Sequence, residues 1–168
     1  MLCADFLHVP LIDLLLSETE ISIESKNVDG ETALHYAAGL TTYYNYSGLV
    51  GDRISNALAT RHEATTRVLL RAGATVNAAT EGSHLTPLHF AAASGMYQVC
   101  SLLLAAGASV DLVGRYRNFG DTPLAYAYRW TPWHGTSTSL KRRVRRIVPL
   151  LLRAGAALPV MPVRLPRE

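Results

Sequence analysis

Apolar positions along this chain recur at helical spacing in short paired runs, and the pairing is clearest between residues 81 and 111. Leu88, Ala91 and Ala92 follow Thr86-Pro87, and Val99, Leu102 and Leu103 follow Gly95. A threonine hydroxyl before a proline is a helix-start signal, because Pro at the first helical position has no N–H to leave unsatisfied. Gly95 is placed to end the first run and Gly107 the second. The pattern predicts two short antiparallel helices, and the small side chains of Ala91 and Ala92 let another helix approach closely.

The same paired run returns on both sides. Upstream, Thr32-Ala33-Leu34-His35-Tyr36-Ala37-Ala38 is answered by Thr66-Arg67-Val68-Leu69-Leu70-Arg71-Ala72-Gly73-Ala74. Downstream, Thr122-Pro123-Leu124-Ala125-Tyr126-Ala127 is answered by Val148-Pro149-Leu150-Leu151-Leu152-Arg153-Ala154-Gly155-Ala156. From opening threonine to closing glycine the three runs span 41, 21 and 33 residues. Taking the middle one as the ruler, insertions of roughly 20 and 12 residues separate the two helices of the first and third.

Thr86-Pro87-Leu88-His89-x-Ala91-Ala92, with Leu102-Leu103-Leu104-Ala105-Ala106-Gly107-Ala108 behind it, resembles the ankyrin repeat, a unit of about 33 residues. The resemblance implies an all-α ankyrin-repeat solenoid of antiparallel helix pairs with hairpin turns, and long insertions in repeats one and three. The expected layout of this single domain is a partial N-terminal cap at 1–26, repeat one at 27–78 with its insertion at 39–61, and repeat two at 79–112. Repeat three follows at 113–158 with its insertion at 129–141, then an extended, proline-punctuated tail at 159–168. Val9 to Leu16 reads as the second helix of a degenerate opening unit, with Ile21 to Glu24 leading out of it.

The turns differ between repeats. Asp29-Gly30 and Asn118-Phe119-Gly120-Asp121 carry a glycine two residues before the threonine, where repeat two has His84, so the second finger is expected to be reshaped. The third is longer and carries Arg115, Tyr116 and Arg117. In repeat three Ala125 replaces the signature histidine, which removes the threonine-to-histidine bonding the resemblance implies for His35 and His89.

Composition adds limits. With 49% hydrophobic and 17% charged residues, the chain has the apolar content for a packed core. Cys3 and Cys100 lack metal-ligand spacing and read as buried free thiols, which suits a reducing compartment and a cytoplasmic or nuclear location. The apolar N-terminus has no base ahead of it and contains Asp5, Pro10 and Asp13, so an export signal is not expected. No apolar run approaches the roughly 18 residues of a membrane span. The net charge of +3 conceals a gradient. Residues 1–31 hold seven acids against Lys26, and residues 129–168 hold nine bases against Glu168. That polarity fits two solvated caps of opposite sign, steering of an anionic partner, or head-to-tail self-association; it leaves the oligomeric state open.

Candidate chemistry is sparse. The six histidines form no HxH or HxxxH pair, and no metal or cofactor site is expected. Lys141-Arg142-Arg143-Val144-Arg145-Arg146 looks like a nuclear-import or nucleic-acid patch, but Val144, Ile147, Val148, Leu151 and Leu152 make the segment one amphipathic helix with its bases outward, as a capping repeat needs. Nucleic acid is therefore the less favoured partner, and Pro149 is expected to kink or restart that helix. The resemblance places Glu31, Tyr36, Leu85, Phe90, Asp121, Tyr126 and Tyr128 on the concave face and fingers, and Tyr43, Tyr44, Trp130 and Trp133 fall in the insertions. These aromatics are the expected anchors of a protein-interaction adaptor that binds another protein. The alternative is a pocket closed over repeat two by the insertions, binding a small hydrophobic ligand or running a cofactor-free isomerase, cyclase or lyase reaction. Asp121, Glu31, His89 and His134 would be its acid–base candidates.

Overall fold

The computed structural model describes residue 14 and residues 22–39, 56–116, 119–133 and 138–158. Helices come in inner and outer pairs. Repeat one contributes α1 (Ala33–Ala38) and α2 (Asn56–Arg71), repeat two α3 (Pro87–Ala93) and α4 (Tyr97–Ala105), and repeat three α5 (Pro123–Trp133) and α6 (Thr138–Arg153). Between α4 and α5 a hairpin of β1 (Gly114–Tyr116) and β2 (Phe119–Asp121) pairs antiparallel, with Gly114 opposite Asp121 and Tyr116 opposite Phe119. This hairpin is the lengthened third finger, the one departure from all-helical structure among the described residues.

The outer helices stop in the same way. Each ends at an Ala-Gly-Ala run whose glycine is left-handed, with φ of 88° at Gly73, 91° at Gly107 and 97° at Gly155. The following alanine N–H donates back to the carbonyl of Leu69, Leu103 or Leu151 at 2.9–3.0 Å. This 6→1 closure satisfies a carbonyl the helix end would otherwise orphan.

The insertions are taken up in part as helix. Counting back from the common stop, α2 and α6 are both 16 residues long where α4 has 9, so each overhangs α4 at its N-terminal end by about two turns. The inner helix α5 has 11 residues against 7 in α3. Most of the segment 129–141, expected as a loop, is therefore helical; residues 40–55 and 134–137 lie outside the described residues. Pro149 does not restart α6, whose helical range continues through it. Residue 149 is exposed, so water can reach the Arg145 carbonyl that loses its donor.

The core runs between inner and outer layers and from repeat to repeat. Leu34, Leu69, Leu88, Val99, Cys100, Leu103, Leu124, Ile147 and Leu151 are all buried. On α6 the inward pair is Ile147 and Leu151, one turn apart, while Leu152 faces outward. Close approach of α1 to α3 depends on Gly39: a Cβ there would lie 2.6 Å from the Phe90 carbonyl oxygen and 2.7 Å from Ser94 Oγ.

Candidate functional site

The fingers and inner helices form one connected surface because each repeat bonds to the next through groups the sequence repeats. In repeats one and two the threonine N–H donates to Nδ1 of the histidine three residues on, at 3.0 Å for both Thr32–His35 and Thr86–His89, and the threonine hydroxyl sits beside the same nitrogen. An accepting Nδ1 leaves the proton on Nε2. His35 Nε2–H then donates to the Leu85 carbonyl at 3.1 Å, and His89 Nε2–H to the Asp121 carbonyl at 3.0 Å. Each imidazole thus ties its own helix start to the backbone of the next finger. Burial holds both rings at a pKa of about 4, against the smaller opposing effect of their carbonyl partners, so they are neutral at pH 7. Repeat three lacks the histidine, and the Ala125 N–H takes the Thr122 hydroxyl instead at 3.3 Å.

The fingers are joined at their tips as well. Glu81 N–H donates to the Asp29 carbonyl at 3.0 Å, and Arg115 N–H donates to the Ser83 carbonyl. Just after the outer helices end, the Asn77 side chain accepts from Ser109 N–H at 2.9 Å and donates to the Gly107 carbonyl at 3.3 Å. The second finger is reshaped as expected. Gly82 and His84 both have positive φ, at 71° and 51°, whereas Gly120 lies in the extended strand β2.

This repeating thread is the signature of the family. A family model described as Ankyrin repeats (3 copies) matches residues 54–156. The chain belongs to the ankyrin-repeat family. Ankyrin repeats are in general protein-interaction modules, so the array's surfaces are the place to look for function. No curated protein matches the chain. The first half of repeat one, including Thr32 and His35, lies outside the family match, yet it has the same threonine–histidine geometry as repeat two.

The array sorts the candidate residues into two sets. Leu85, Phe90 and Tyr126 are buried, with exposures of 1%, 4% and 5%. Phe90 packs edge-on against His35 at 5.4 Å and Tyr126 against His89 at 5.8 Å, so the ring four residues after each threonine rests on the histidine of the preceding repeat. Tyr36 and Tyr128 are half-buried and keep an accessible edge. Glu31 is buried and accepts from the Asn27 side-chain amide at 2.8 Å, and the same amide reaches Tyr36 Oη at 2.8 Å. Asn27 Oδ1 closes the first turn by accepting from the N–H groups of Asp29 and Glu31. Asp121 is buried with its carbonyl taken by His89. Glu31 and Asp121 stand at equivalent positions in repeats one and three, and buried Leu85 occupies the place between them. Both ring nitrogens of His89 are engaged within the array, Nδ1 by Thr86 and Nε2 by the Asp121 carbonyl. Trp130 and Trp133 lie on the helical extension of α5; Tyr43, Tyr44 and His134 lie outside the described residues.

Two buried polar groups on α2 carried no sequence signal. His62 Nδ1–H donates to the Ala37 carbonyl at 2.9 Å, and the Thr66 hydroxyl donates to the same oxygen at 3.2 Å. Together they satisfy the C-terminal end of α1 from the outer helix. Desolvation lowers the His62 pKa. Cys100 is a free thiol, fully buried, and burial pushes its pKa up, which makes it an inert core residue. Cys3 lies outside the described residues. No group of three or more potential metal ligands occurs among the described residues, and none of their helices is long and apolar enough to cross a membrane.

Proposed function

We propose that this chain is a non-catalytic adaptor that docks another protein along its fingers and the open edge of its inner helices. The observation that supports it is the backbone linkage of all three fingers, Asp29 to Glu81 and Ser83 to Arg115, above the buried His35 and His89 ties. A surface held in register by hydrogen bonds loses little conformational freedom on binding, so more of its contact energy appears as affinity. That surface is chemically mixed. Val28, Leu112 and Val113 are exposed, beside Asp29, Glu81, His84 and Arg115, and half-buried Tyr36 and Tyr128 border it. Exposed apolar side chains among charges of both signs suit a protein partner.

Phe90 and Tyr126 support this surface from beneath, so their truncation would unfold it. The test therefore uses Tyr128→Ala with Val113→Asp, both at accessible positions. In an affinity capture from cell extract, the pair should abolish at least one interaction of the unaltered chain while circular dichroism stays helical. Unchanged capture of every interactor would refute the finger surface.

A further inference from the structure

We propose that the outer face of α6 is a second docking surface, specific for an acidic, leucine-bearing segment of a partner protein. It goes beyond the finger reading and uses a separate face of the array.

Helix α6 carries its bases in a stretch of sequence without acids. Lys141, Arg142, Arg143, Arg145 and Arg146 lie on it, and no acid occurs in the sequence between Asp121 and Glu168. The helices packed against it, α3, α4 and α5, contain no acidic residue either. Two bases elsewhere are paired, Lys26 with Glu81 at 4.0 Å and Arg67 with Glu63 at 2.9 Å, and neither of these ion pairs of the described residues involves α6. Like charges gathered on one helix repel each other, so the arrangement costs stability and is relieved by an external anion.

The guanidinium groups also have an apolar setting. Arg145 and Arg146 are exposed, and Arg146 stacks over the Tyr97 ring of α4 at 5.3 Å, which restricts its position before any partner arrives. Farther along the same end of the array, Pro149 and Leu152 are exposed, and Leu158 beyond the helix is 69% exposed. This mixture chooses between anions. A nucleic acid backbone gains nothing from exposed leucine, and the neighbouring outer helix α4 offers it no base. The bases from Lys141 to Arg146 span about 8 Å of one helix, and Pro149 and Leu152 follow one and two turns beyond Arg145, a spacing that suits a single amphipathic segment carrying acids on one side and leucines on the other.

The test is fluorescence anisotropy on the full chain with three labelled probes of equal net charge: a helical peptide of Glu and Leu, a peptide of Glu without Leu, and a DNA duplex. The Glu/Leu peptide should bind most tightly, and should weaken several-fold between about 50 and about 250 mM NaCl. Arg145→Glu alone, which spares the Tyr97 contact, should weaken it by about 10-fold, and the uncharged Leu152→Asn should weaken the Glu/Leu peptide but not the Glu peptide. Tighter binding of DNA, equal binding of both peptides, or an unchanged affinity in Arg145→Glu would each overturn the proposal. The Tyr128→Ala, Val113→Asp variant should bind this peptide normally, so the finger surface and the α6 surface stand or fall separately.

Discussion

His35 and His89 show how one side chain can serve both local and long-range structure. Their Nδ1 atoms close a helix start three residues back, and their Nε2–H groups reach carbonyls 50 and 32 residues away. The neutral form is the one that fits, and burial enforces it. In the unfolded chain each ring titrates near its ordinary value of about 6.5, while in the folded array it stays neutral down to about 4. Below pH 6.5 the unfolded state therefore binds protons the folded state refuses, and stability falls as pH drops through that window. Below about 4 the contribution is fully lost. On the order of 3 kcal/mol per histidine is at stake. Urea midpoints measured from pH 7.5 to 4.5 should fall progressively, and His89→Gln should flatten the slope; a midpoint unchanged over that range would contradict the buried neutral tautomer.

Among helices, the informative comparison is α4 with its neighbours. All three outer helices share the Ala-Gly-Ala stop, so their differences in length appear at the other end, where α2 and α6 overhang. Pro149 belongs to this scale, since it costs α6 one internal hydrogen bond without ending the helix. At an exposed position nothing else depends on the ring, so Pro149→Ala should restore the bond to the Arg145 carbonyl and stabilise the array by about 1–3 kcal/mol. A thermal melt with a higher midpoint is the expected outcome. An unchanged or lower midpoint would mean that the proline ring packs against something.

Across the described repeats, stability resides at the interfaces between repeats as much as within them. His35 links repeat one to two, and His89 links two to three, with Phe90 and Tyr126 resting on them. Each repeat contacts only its neighbours, so losing one such link weakens the stack directly. His35→Ala should accordingly unfold the chain in a single transition at lower denaturant, as followed by both circular dichroism and tyrosine fluorescence. Separate transitions by the two probes would show that repeats two and three stand alone. Repeat spacing, helix starts and stops, and the family itself were legible in residues such as Thr86-Pro87, His89 and the Ala-Gly-Ala runs, because capping and left-handed closure are local chemistry. What only the tertiary structure decided was exposure and partnership. Phe90 and Tyr126 look in sequence like surface anchors, yet packing against the preceding histidine buries them. His62 gave no signal because its partner is a helix end 25 residues away. The segment 129–141 read as a loop, since helix length beyond a cap depends on what neighbouring helices support, and no local residue encodes that.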